Sequence, residues 1–138
     1  MRKKKKTVNF IKVGLPLYRV SVAVFFGVSL DGIIKEGVRG GIDSKKFTEE
    51  WKKWPSEQIS GTSCTGFTME YGEGNKDVLV WIRKKPQKLS EYAVLYHELY
   101  HATDHIADSR DFYTGDKISE PRAYIFEYLF MEVSKVLW

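Results

Sequence analysis

Residues 91–108 contain neither Gly nor Pro, and within them Val94, Leu95, Leu99, Ala102 and Ile106 recur at helical spacing behind Ser90, a candidate N-cap. This stretch predicts an amphipathic helix. It carries all three of the chain's histidines, two of them in the sequence His97-Glu98-Leu99-Tyr100-His101. At i and i+4 the imidazoles of His97 and His101 leave one helix face, near enough to share a metal ion. Glu98 stands about a hundred degrees round the helix, where it can address a water beside the metal without coordinating. Leu95, Leu99, Ala102 and Ile106 form a packing stripe, and Val94, His97, Glu98, His101 and His105 form the flank beside it, predicted to line a cleft.

A catalytic zinc generally takes three protein ligands and leaves one position open. The residues that could supply the third are His105, Asp104, Asp108, Asp111, Asp116, Glu120 and Glu127. A straight helix carries His105 away from a metal between His97 and His101. A third histidine after a glycine turn, the metzincin pattern, would fall at position 107, which is Ala107. Glu120 is favoured over Glu127. It opens a second apolar helix, capped by Ser119, with Pro121 in its first turn and Ile125, Leu129, Val133 and Val136 on one face. The irregular stretch 109–118, with a turn at Tyr113-Thr114-Gly115-Asp116, makes the two helices antiparallel neighbours and is expected to bring Glu120, Tyr124 and Glu127 toward the motif. Asp104 is a candidate acceptor for a ligand imidazole N–H, and Tyr124 and His105 are candidates to bond a developing oxyanion.

HELYH followed by Glu120 in Ser119-Glu120-Pro121-Arg122-Ala123-Tyr124 resembles the gluzincin arrangement, HExxH with a downstream helix-borne Glu. The segments HELYHATDHI and SEPRAYIFEYL further resemble small HExxH proteins of bacteriophages and mobile elements. The resemblance covers roughly residues 62–138. It implies a minimal zinc metallopeptidase with zinc on His97, His101 and Glu120, Glu98 as general base, and a peptide or protein substrate. Where thermolysin-like relatives of that class carry an Asp four residues past the third ligand, this chain has Tyr124.

Upstream the chain reads as β-rich. Val20, Val22, Val24, Phe26 and Val28 alternate with Ser21, Ala23, Phe25, Gly27 and Ser29, which predicts a half-buried strand turning at Asp31-Gly32 into a hairpin with Ile33 and Ile34. A short helix capped by Asp43 or Ser44 should set Phe47, Trp51 and Trp54 on one face before Pro55. Strands over about 64–71 and 77–83 flank the turn Gly72-Glu73-Gly74-Asn75. Val78, Val80 and Ile82 are expected in the core, with Leu79 and Trp81 on a face freer to meet a ligand and the strand itself a candidate rim for edge pairing with a peptide. The expected fold is a single α+β, zincin-like domain over residues 1–138, with a twisted, antiparallel-rich sheet packed on the motif helix and a C-terminal helix.

The net charge of +4 is local: Arg2–Lys6 supply five positive charges, and the other 17 basic residues nearly balance 18 acidic ones. Residues 1–8 therefore read as a disordered basic tail, the one place expected to attract nucleic acid. Residues 88–138, with 5 basic and 9 acidic side chains, suit a cation. The lone cysteine, Cys64, excludes an intramolecular disulfide and fits a cytoplasmic monomer, in host cytoplasm for a phage-encoded protein. The run 20–30 alternates like a strand and lacks a small-x-small cleavage site, so no export signal is read there, and no segment reaches transmembrane length, so no membrane partner is expected. Two other classes share these features: a zinc-containing phage-type binding module with little or no peptidase activity, and a zinc hydrolase acting on a non-peptide bond.

Overall fold

The computed structural model describes residues 9–28, 32, 33, 35, 65–71, 77–109 and 119–137. The predicted helix around Phe47, Trp51 and Trp54, the segment 110–118, Cys64 and residues 1–8 lie outside them. The architecture is α+β. Strands β1 (Phe10–Leu15), β2 (Val20–Phe26), β3 (Gly66–Tyr71) and β4 (Asp77–Ile82) precede helices α1 (Leu89–Ser109) and α2 (Ser119–Leu137). No helix among the described residues is long and apolar enough to cross a membrane.

The four strands form one mixed sheet in the order β1-β2-β4-β3. Pro16–Tyr18 form a 3-10 turn closed by Arg19, whose N–H donates to the Pro16 carbonyl, so β1 and β2 pair antiparallel. β3 and β4 form the expected antiparallel hairpin, with Gly66 opposite Ile82 and Tyr71 opposite Asp77. β2 and β4 run parallel. Gly32, Ile33 and Lys35 are helical and the second neighbour of β2 is β4, so Ile33 does not pair with β2 as the expected hairpin required; Asp31 and Ile34 lie outside the described residues.

Both faces of the sheet are covered. On one, Val22, Val24, Phe26, Val78, Val80 and Ile82 meet Leu95, Leu99, Ala102 and Ile106 of α1 and Ile125, Leu129 and Val133 of α2. On the other, Ala23, Phe25, Leu79 and Trp81 pack with Ile33, Met69 and Tyr71. β2 is thus buried on both sides rather than half-buried, as suits an interior strand whose alternate residues, Ala23 and Phe25, are themselves apolar. Leu79 and Trp81 likewise belong to the core. Trp81 is pinned by its indole N–H, which donates to the Val28 carbonyl at 2.9 Å, and so neither meets a ligand nor plugs the motif side.

β4 lies between β2 and β3 and has no free edge, which removes it as a rim for peptide pairing. Among the described residues the edge strands are β1 and β3, and β3 is the one that carries contacts to the motif residues of α1. The Arg83 N–H donates to the Thr65 carbonyl, so alternation of the ladder turns the backbone of Thr65, Phe67, Met69 and Tyr71 toward β4 and that of Thr68 and Glu70 away from it.

α1 begins two residues earlier than expected. The Lys88 carbonyl accepts from the N–H groups of Glu91 and Tyr92, so Ser90 is inside the first turn rather than the cap. α2 buries Ile125, Leu129 and Val133 but leaves Val136 exposed.

Candidate metal centre

α1 presents its stripe to the sheet, and all four of Leu95, Leu99, Ala102 and Ile106 are fully buried. That packing fixes the rotation of the helix. His97 and His101 are left on its open side, and Glu98 is turned into the seam with β3, 5% exposed. The Nε2 atoms of His97 and His101 stand 3.1 Å apart, with the rings nearly perpendicular. Two histidines on one tetrahedral zinc, with Zn–N bonds of about 2.0–2.1 Å, would hold their nitrogens roughly 3.3 Å apart. The separation is near that of two nitrogens on one ion, and is also that of an N–H···N hydrogen bond between the rings. Ligand atoms of His97, Glu98 and His101 all lie within 4.8 Å of one another.

β3 builds the wall against which Glu98 rests. The Thr68 hydroxyl donates to the Glu98 carbonyl at 3.1 Å and stands 3.5 Å from Glu98 Oε1. Gly66 leaves the space Glu98 occupies, since a Cβ there would sit 3.1 Å from Glu98 Cγ and 3.3 Å from Val94 Cγ1. Glu98 Oε2 is buried without a hydrogen-bond partner. Burial pushes the Glu98 carboxyl above its ordinary range, opposed by the neighbouring His101 and His97 and by the Thr68 hydrogen bond. A carboxylate with one oxygen unpartnered next to two converging imidazoles is suited to accept a proton from a small molecule held between them.

His105 lies on the same flank and is engaged by β3. Its Nδ1 stands 2.7 Å from Glu70 Oε1, an ion pair or neutral hydrogen bond according to the ring's protonation.

Asp104, expected behind a ligand imidazole, is instead bound by Arg122 Nη1, while Arg122 Nη2 donates to Asp108 at 2.8 Å. One guanidinium thus ties the end of α1 to the start of α2, and charge takes Asp104 to the cation. The ring pairs Tyr100–Phe126 and Tyr96–Phe130 continue the antiparallel contact, so residues 126–130 run beside the motif and the first turn of α2 beside residues 104–108.

Tyr124 and Glu127 do not join the cluster. They line an open apolar groove with Leu15, Pro16, Leu17, Tyr18, Tyr128 and Met131, because Ile125, Leu129 and Val133 enter the sheet and the flank carrying Arg122, Phe126 and Phe130 meets α1. The side chain of Glu120 is outside the described residues. Its backbone is in the first turn of α2, so a metal contact from it would run back along α1 toward His101.

The site residues that the sequence did not suggest are on β3: Gly66, Thr68 and Glu70. Only the two-residue spacing of a strand could have grouped them, and nothing in that spacing points at Glu98. Comparison with protein-family models, with curated proteins and with solved structures finds no match to this chain.

Proposed function

We propose that the chain is a zinc-dependent peptide hydrolase in which His97, His101 and Glu120 are the protein ligands of the metal and Glu98 is the general base. The observation that carries this reading is the buried Glu98 carboxylate, one oxygen unpartnered, beside two exposed imidazoles whose Nε2 atoms converge to 3.1 Å. A zinc ion held there would supply Lewis acidity, lowering the pKa of a water and polarising a substrate carbonyl.

The chain's own residues do the rest. Glu98 takes the proton of the attacking water and delivers it to the departing amine nitrogen. Thr68 anchors the Glu98 backbone through its hydroxyl, which lies 3.5 Å from Oε1, and so keeps the carboxylate against β3. The outward backbone groups of Thr68 and Glu70 offer an extended peptide a strand to pair with, directly beside Glu98. The peptide class of substrate and the place of Glu120 rest on the resemblance of HELYH and SEPRAY to gluzincins.

Metal analysis with a peptide-library assay tests the reading. The wild type should bind one zinc per chain, and His97→Ala and His101→Ala should lose it. Glu98→Gln should keep zinc and lose about 10²- to 10⁴-fold in kcat. Glu120→Gln should cost zinc affinity where Glu127→Gln does not. A wild type that binds zinc and cleaves no peptide would replace the hydrolase with a zinc-containing binding module. Full zinc in both histidine variants would remove the metal site altogether.

A further inference from the structure

We propose that the groove between the β1–β2 connection and α2 is a binding site for a small amphiphilic cation, an apolar chain that ends in a quaternary ammonium. The groove has a volume of about 470 Å³, within the roughly 300–1,000 Å³ of small-molecule sites. Its buried lining is Leu15 and Ile125. α2 adds Tyr124, Glu127, Tyr128 and Met131, all exposed, which at i, i+3, i+4 and i+7 form one stripe. The opposite wall is the connection itself. Its 3-10 turn, Pro16–Tyr18, is closed by Arg19 at φ 51°, the one positive φ at a non-glycine position among the described residues. Only glycine takes that left-handed conformation freely, yet here it closes the turn that carries Leu17, 92% exposed, and Tyr18 to the groove.

The chemistry of the occupant follows from charge. Glu127 is the one charged residue in the lining, and it has no hydrogen-bond or ion-pair partner among the described residues. The cations of α2 are engaged elsewhere, Arg122 by Asp104 and Asp108 and Lys135 by Glu132. Arg19 follows Tyr18 in sequence but is not part of the lining and makes no pair with Glu127. An anion in the groove would be repelled by Glu127. A neutral apolar molecule would strip water from the carboxylate and offer it nothing in return. A cation compensates the carboxylate.

The aromatic walls narrow the class further. Tyr18, Tyr124 and Tyr128 line the groove together, and an aromatic ring attracts a cation over its face. Tyr124 and Tyr128 have no ring contact or hydrogen bond among the described residues, so their faces are not already taken by the fold. A primary ammonium brings three N–H donors that must be satisfied, whereas a quaternary one needs only ring faces and a counter-charge. Leu15, Leu17, Ile125 and Met131 receive the apolar chain, and the flexible thioether of Met131 adapts to its shape. The site contains none of His97, Glu98, His101 and Glu120 and is independent of the hydrolase reading.

The test is isothermal titration calorimetry of the full chain, zinc-loaded and EDTA-treated, with octyltrimethylammonium, octyl sulfate and octyl glucoside, each below its micellar concentration. One octyltrimethylammonium should bind per chain, more tightly than either other probe and equally with and without zinc. Hexyltrimethylammonium should bind about 15-fold more weakly if the two missing CH₂ groups are fully buried, and about 4-fold if they are half-buried. Glu127→Gln and Tyr128→Leu should each weaken octyltrimethylammonium about 2- to 5-fold while octyl glucoside binds no more weakly. Both positions are exposed, so both variants should fold. Octyl sulfate bound as tightly, an affinity unchanged in both variants, binding that requires zinc, or no binding of octyltrimethylammonium would each overturn the proposal. So would a dimer in sedimentation that Leu17→Glu abolishes, which would give the groove to a second copy of the chain. The EDTA-treated titration contains no zinc, so failure there leaves the hydrolase reading as it stands.

Discussion

Gly66→Ala sets two effects of known sign against each other. Gly66 has an ordinary strand backbone, so an Ala there narrows the unfolded ensemble and stabilises by about 0.4–1 kcal/mol. Its Cβ, however, would stand 3.0 Å from the Trp81 carbonyl oxygen, 3.1 Å from Glu98 Cγ and 3.3 Å from Val94 Cγ1. The Trp81 carbonyl belongs to β4, which is paired on both sides and cannot retreat. Relief at Trp81 falls on the outer strand β3 and relief at Glu98 and Val94 on α1, so the seam between them opens and Glu98 moves by a few tenths of an ångström. Overpacking of this kind costs about 1–3 kcal/mol, so the net effect is a loss of about 1–2 kcal/mol.

For a chain of this length that loss is a fall in Tm of roughly 4–8 °C. Because a misplacement of about 1 Å costs some 10²-fold in rate, a shift of a few tenths should lower kcat roughly 3- to 10-fold at unchanged zinc content. Gly14→Ala is the control. Nothing lies within 4 Å of its added Cβ, so that variant should be neutral or slightly stabilised. Thermal unfolding of the metal-free chains and kcat of the zinc-loaded ones decide the matter. A Gly66→Ala protein as stable and as active as Gly14→Ala would show that the seam between β3 and α1 does not hold Glu98 in place.

Glu98→Gln should alter how the metal-free protein responds to pH. Burial raises the folded-state pKa of Glu98 above its ordinary 4.5, so stability that is fully present below that value is lost as pH rises through the folded pKa; the Gln variant should escape this loss and unfold at the higher temperature near neutrality, and parallel Tm–pH curves would refute it. Arg122→Gln should cost about 1 kcal/mol by releasing Asp104 and Asp108, with the difference from wild type shrinking in 1 M NaCl; a salt-independent loss would mean that Arg122 acts by packing.

What the sequence made legible followed one strong periodicity. Leu95, Leu99, Ala102 and Ile106 repeat at the helical spacing, and burying them necessarily sets His97 and His101 on the open side and Glu98 at the seam. The antiparallel neighbours β3 and β4 were legible as two short strands close in sequence, and the turn expected between them at residues 72–75 lies outside the described residues. The pairing of β2 was not, because a parallel neighbour fifty-odd residues away leaves no local mark on Val20–Phe26, and its Asp31-Gly32 has hairpin chemistry without hairpin partners. Leu79 and Trp81 were misjudged for the same reason: whether the second face of a strand is wet depends on what lies over it, here Ile33, with Met69 and Tyr71 of β3 beside them on the same face. Tyr124 and Glu127 share helical spacing with Glu120, yet spacing fixes only which residues lie together. Which flank meets α1 is decided by the burial of Ile125, Leu129 and Val133, and it is the flank of Arg122 and Phe126.

The candidate site is therefore a property of a seam, and the helix supplies only part of it. Alternate residues of β3 face α1: Gly66 leaves room at Val94 and Glu98, Thr68 binds Glu98, and Glu70 binds His105. The strand advances about 6.7 Å per two residues and the helix about 6 Å per four, so the two elements stay in step along the cleft. In an isolated helix Glu98 would be a solvated carboxylate in its ordinary titration range. Against β3 it is enclosed with one oxygen unpartnered, while His97 and His101, about a hundred and about sixty degrees round the helix to either side, stay open to an ion. On the proposed reading, metal holding and proton handling would be divided between the open side of α1 and its seam. A change on β3 should consequently reach the second function and spare the first, which is the pattern that zinc content and kcat, measured together in Gly66→Ala, separate.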